Sequence, residues 1–97
     1  MSLITRLENY TLKFPQEMLL IQAQIGDEVD QIIVFKGFSS SLMRPTAYDP
    51  DVAVLPESAV VECIDRLQAP YQPADPKYLE QGLALDIFLG RLAQLGL

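Results

Sequence analysis

The chain has 97 residues, 49% hydrophobic and 21% charged, with seven basic against thirteen acidic side chains and a net charge of −6. That length sets one domain with a single modest core. The composition excludes a disordered chain, and the acidic surplus argues against phosphate-driven binding to DNA, RNA or an anionic membrane, though a local basic spot stays open.

Histidine is absent and Cys63 is the only cysteine. The commonest general base is therefore missing, and neither an internal disulfide nor a structural zinc site can be assembled from one copy. The single thiol fits a reducing compartment. The N-terminus lacks a cationic region followed by an apolar run, so no secretory leader is expected. No stretch approaches the ~20 apolar residues of a membrane span.

In chain order, the first strand is expected from Leu7 to Phe14, where Tyr10, Leu12 and Phe14 alternate with Thr11 and Lys13 until Pro15. A helix from Leu3 to Asn9, capped by Ser2, is the alternative start. The second strand spans Glu17 to Ile25, with Leu19, Ile21, Ala23 and Ile25 on one face and Gln22 and Gln24 on the other. Gly26-Asp27 then forms a hairpin turn. The third runs from Glu28 to Gly37, with Val29, Ile33 and Phe35 on one face and Ile32 and Val34 on the other. Being apolar on both faces, it reads as an interior strand.

Residues 38–58 read as a long loop and Ala59 to Arg66 as a fourth strand, with a short helix as its competitor. Pro70, Pro73 and Pro76 set an extended connector, which also has the spacing of a ligand for proline-reading domains. Asp75-Pro76 is a helix-start signal, and a helix is expected over 76–95. On that helix Leu79, Leu83, Leu85, Leu89, Leu92 and Ala93 cover most of the circumference, with Ile87, Phe88 and Leu95 among the polar positions. A helix apolar nearly all round is covered on more than one side. This points to self-association, or docking of a partner, through Leu85, Phe88, Leu89, Leu92 and Leu95. The alternatives are that Phe88 or Leu95 folds over a sheet edge, or that the last turn frays.

The loop after Phe38 exceeds the ~12–15 residues normal for a bare connection. Lys36, Ser39, Ser40, Ser41 and Arg44 could surround a phosphate or carboxylate, and Tyr48 lies further along the same loop. Nothing there matches a phosphate-loop pattern. Two other readings compete: a structural lid, with Asp49 and Asp51 pairing Arg44, and a protein-binding loop. Asp27, Glu28 and Asp30 read as a solvated acidic turn, and Cys63 as an inert thiol within an apolar strand. No catalytic, cofactor-binding or metal-ligating set is visible.

One resemblance stands out. Phe35-Lys36-Gly37-Phe38-Ser39-Ser40-Ser41-Leu42, then Arg44-Pro45-Thr46, Asp49-Pro50-Asp51, Leu55-Pro56, Ile64-Asp65, Pro70-Tyr71 and Pro73 resemble a family of small uncharacterised proteins of cyanobacteria and plant plastids. The likeness covers roughly half the chain, from Gln31 to Gln81. It implies a photosynthetic setting with a cytoplasmic or stromal location, and it carries over no active residue.

The expected fold is one α+β domain over residues 1–97: a small antiparallel sheet of three to five strands, curled as far as a half-barrel, with one C-terminal helix. The expected function is a non-enzymatic protein-interaction or assembly module with no cofactor, no membrane and no nucleic-acid partner, using the terminal helix for dimerisation and the loop for a partner. The alternative is a small anion- or nucleotide-binding protein, or an enzyme, built on the Lys36–Arg44 loop.

Overall fold

A computed structural model of the chain describes residues 3–42, 55, 59–69, 72 and 74–97. The elements are α1 (Leu3–Lys13), β1 (Glu17–Ile25), β2 (Glu28–Phe35), β3 (Phe38–Ser41), β4 (Val60–Gln68), β5 (Tyr78–Leu83) and α2 (Leu85–Gln94). The strands form one antiparallel open sheet in the order β3-β2-β1-β4-β5. The class is α+β as expected, with five strands, no closure into a barrel, and a second helix at the N-terminus.

β1 is the central strand and fits the sequence reading. Leu19, Ile21 and Ala23 are fully buried on one face, while Gln24 is exposed on the other. Ile32 and Val34 of β2 join that buried face. On the opposite face Ile33 and Phe35 pack partly buried while Val29 is 55% exposed, and β2 is an interior strand, between β3 and β1, as expected. Leu7 and Tyr10 of α1, with Phe88 and Leu92 of α2, close the main core over Leu19, Ile21, Ile32, Val34 and Ile64. Both helices therefore lie on the same side of the sheet. The far side carries a smaller cluster of Met18, Leu20 and Leu67 beside Ile33, Phe35 and Ala69.

Two elements differ from expectation. The segment read as a first strand is the helix α1. Leu3, Leu7, Tyr10 and Phe14 recur at four-, three- and four-residue intervals, which makes one helical stripe. The local alternation of Tyr10, Leu12 and Phe14 was incidental, for Tyr10 is buried and Leu12 is 60% exposed.

The helix expected over 76–95 is split. Residues Tyr78–Leu83 form β5, and α2 begins only at Leu85. The break sits at Gly82, whose φ of +67 is left-handed and outside a right-handed helix. Its N–H donates to the Asp65 Oδ1 at 2.7 Å, which binds the irregular end of β5 to β4. Asp75-Pro76 thus leads into a strand instead of a helix. Ala84, extended with ψ 147, occupies the N-cap position with no side-chain cap.

The expected loop over 38–58 opens with strand β3, paired to β2 through Phe35↔Phe38 and Ile32↔Ser41. The turn between them is Lys36-Gly37, both with positive φ (50 and 83), the signature of a type I′ hairpin. Of the remainder, Leu55 is buried in the main core.

Candidate functional site

The run Lys36–Ser41 is a hairpin tied to α1. Gly37 N–H donates to the Thr11 hydroxyl (2.9 Å), which in turn donates to the Glu8 carbonyl (2.8 Å). A Cβ on Gly37 would lie 2.9 Å from Leu12, so the turn packs closely on the helix. Strand alternation then divides the three serines. Ser39 and Ser41 share the helix-side face, where their hydroxyls donate to Glu8 (2.8 Å) and Asp30 (2.8 and 2.9 Å). Ser40 lies on the far side in register with Ile33. The three hydroxyls do not converge on one point, and the donors of Ser39 and Ser41 are engaged by carboxylates. Arg44 and Tyr48, the other residues of the expected loop site, lie outside the described residues, as do Pro70, Tyr71 and Pro73 of the connector.

The far side at this end of the sheet holds a groove of about 410 Å³ between Met18, Ile33, Phe35, Lys36, Phe38 and Ser40. Phe38 stands over it with 80% of its surface exposed. The Lys36 ammonium lies 5.2 Å from the Phe35 ring centroid, a cation–π contact. Around the same end, on the α1 side, a second cleft of about 510 Å³ runs between Lys13, Phe14, Gln16, Glu17, Gln68 and Leu79.

Beside that second cleft lies a polar network that sequence reading missed. The Tyr10 hydroxyl donates to Glu17 Oε1 at 2.9 Å, and Arg66 Nε donates to the same oxygen at 2.7 Å. Arg66 also pairs with Glu80, its register partner on β5, and Glu80 receives the Arg91 guanidinium of α2. Burial, followed by the bond to the Glu17 carboxylate, pushes the Tyr10 phenol up to about 12. Hydrogen bonds from Arg91 and then Arg66 hold Glu80 down at about 2. The bond to Glu17 raises Arg66 further above its already high range. Four charges of alternating sign cancel, and the network links α1, β1, β4, β5 and α2. The available signal was positional: Glu17 and Arg66 fall in phase with the inward-facing Leu19 and Ile64 of their strands.

The α2 residues expected to serve self-association are largely internal. Phe88 and Leu92 are fully buried, Phe88 edge-on to Tyr10 with ring centroids 5.1 Å apart. Leu85, Leu89 and Leu95 pack partly buried against the same core. The cause is the shorter helix. With residues 78–83 moved to β5, the apolar side chains of 85–95 are enough for one covered face, and Ile87 alone among its large apolar residues is widely exposed, at 53%.

Cys63 is half-buried, and burial, then Asp65 and Glu62, pushes its thiol up, away from the reactive thiolate. Asp30 of the acidic turn is 2% exposed and bound to Ser41, so only Asp27 and Glu28 stand in solvent there. Among the described residues no group of acidic and cysteine side chains gathers as a metal site. No described helix is long and apolar enough to cross a membrane.

These features define a small α+β domain with a one-sided helical layer and an aromatic-lined groove at one end of its sheet. The chain belongs to the family described as a domain of unknown function (DUF7734), whose model matches residues 4–92. Neither a curated protein nor a solved structure matches it.

Proposed function

We propose that this domain is a protein-interaction module acting without catalysis in a photosynthetic cell, in its cytoplasm or plastid stroma. The observation that carries this reading is Phe38. A large aromatic side chain at 80% exposure, beside an apolar groove, is a costly surface feature unless a partner covers it. The tight I′ turn and its bonds to α1 hold that ring on a preorganised edge, which lowers the entropy lost on docking. The alternative of an anion site draws less support, because two of its three hydroxyls already donate to carboxylates. The setting rests on the resemblance to cyanobacterial and plastid proteins.

The test is affinity capture from nuclease-treated lysate of a photosynthetic cell, with wild type and Phe38→Asp as baits. Position 38 is exposed, so the variant keeps the wild-type melting temperature. A protein retained by wild type and lost with the variant supports the reading. Identical captured sets contradict it.

A further inference from the structure

All three lysines of the chain lie at one end of the sheet. Lys13 ends α1, Lys36 sits in the β2–β3 turn, and Lys77 immediately precedes β5. That end is where β1 and β5 begin and β2 and β4 finish, as the pairs Phe35↔Phe38, Glu17↔Gln68 and Leu67↔Tyr78 require. Each lysine is exposed and lines a groove, and none forms an ion pair with another described residue. Glu17 is neutralised by Arg66, which leaves Asp75 as the one exposed carboxylate described there. Phe38, 80% exposed, and Leu79, 47% exposed, stand among these cations.

The opposite end has the complementary character. Asp27 lies in the β1–β2 turn, Glu28 opens β2 and Glu62 lies near the start of β4, all exposed. Val29 and Val60, at 55% and 63% exposure, flank Gln24 between them. Among the described residues, the first end therefore carries three lysines against the single exposed carboxylate of Asp75, and the second carries three exposed carboxylates, each beside uncovered apolar side chains. Nine-residue β1 separates the ends by about 30 Å, several times the roughly 8 Å Debye length at physiological salt. The ends cannot meet within one copy, and at contact each acts as its own patch regardless of net charge.

We propose that the lysine-bearing end of this domain docks onto the acidic end of a second copy, so that copies associate head to tail. Such a contact is heterologous and leaves one free end of each kind, which produces open chains or rings. The occupant is a copy of this chain because both surfaces belong to it, opposite in charge and at equal concentration. The interface belongs to the small, salt-sensitive class. This inference stands apart from capture of a cellular partner: self-association can fail while Phe38-dependent capture persists.

Sedimentation velocity of the full chain tests it. Over about 10 µM to 1 mM at low salt, the weight-average mass of wild type should rise. It should return to monomer near 1 M salt, where the Debye length is about 3 Å. Two charge-reversed variants complete the experiment, one with Lys13→Glu, Lys36→Glu and Lys77→Glu, the other with Asp27→Lys, Glu28→Lys and Glu62→Lys. Each alone should associate at least about tenfold more weakly. Their mixture, in which the unaltered lysine end of one variant meets the unaltered acidic end of the other and the two reversed ends are also opposite in charge, should regain association in 1:1 proportion. Circular dichroism establishes that both are folded, and Lys77→Glu with Asp27→Lys repeats the pairing should a triple variant unfold. A wild type monomeric at every concentration, association indifferent to salt, or a folded mixture that forms no pair would overturn the proposal.

Discussion

The Arg91 guanidinium on α2 engages both carboxylate oxygens of Glu80 on β5, the second through an N–H···O bond of 2.9 Å. This bidentate pair links the C-terminal helix to the edge strand that precedes it. Glu80 also receives Arg66, so the carboxylate sits between two cations and stays ionised far into acid.

The first prediction follows from that position. Glu80 titrates at about 2 in the fold against an ordinary value of 4.5. A group depressed in the folded state stabilises above its unfolded pKa and loses that contribution as pH falls through the window between the two values. Glu80→Gln should therefore lower the melting temperature at neutral pH, and the gap to wild type should narrow from about pH 4.5 to about pH 2. Melts at a series of pH values check this. A gap that persists unchanged at the acid limit would show that Glu80 acts through packing alone.

Tyr10 gives the converse case. Its phenol is raised to about 12, so the neutral form is favoured by the fold. That stabilisation is complete below the ordinary value of 10 and is lost as pH rises from 10 towards 12. An ultraviolet titration of the chain should show a late phenol step. Tyr10→Phe should remove that late step and cost about 1 kcal/mol through the lost bond to Glu17.

Helix α2 separates core from surface within one turn. Phe88→Ala should cost about 3–5 kcal/mol by opening a cavity, and Leu92→Asp should prevent folding. Ile87→Asp, at a position 53% exposed, should change stability by no more than about 0.5 kcal/mol. Urea unfolding of the three variants measures the contrast. Similar losses at positions 87 and 88 would contradict the packing described.

Gly37 is constrained twice, by φ +83 and by Leu12. Gly37→Ala should destabilise by about 1–2 kcal/mol, and adding Leu12→Ala should recover the steric part while leaving the backbone strain. A double variant as unstable as Gly37→Ala alone would place the whole cost in the backbone.

Much of the sheet was legible in the sequence. The alternation of Leu19, Ile21 and Ala23 with Gln22 and Gln24 fixes the faces of β1, and Gly26-Asp27 marks its hairpin. The N-terminal helix was present only as the alternative over residues 3–9, because a two-residue alternation, Tyr10-Leu12-Phe14, overlaps the longer stripe from Leu3 to Phe14. Resolving them requires knowing that Leu12 faces solvent. The β5–α2 boundary was hidden for a different reason: Tyr78–Leu83 continues the leucine-rich pattern of α2, and only pairing with β4 makes it a strand. The serine run was visible, yet β3 sends neighbouring hydroxyls to opposite faces, which dissolves the site that adjacency suggested. The lysine-bearing end could not be read at all. Lys13, Lys36 and Lys77 are far apart in sequence and meet only through the antiparallel topology.

The most direct test of an interaction role is photocrosslinking inside a photosynthetic cell, with a photoreactive side chain placed at position 38 or, as control, at exposed position 94 on α2. Discrete adducts of higher mass from position 38, absent from position 94, are the result expected of a docking surface at the Phe38 end of the sheet. No adduct from position 38, with the chain present and folded, would contradict that role.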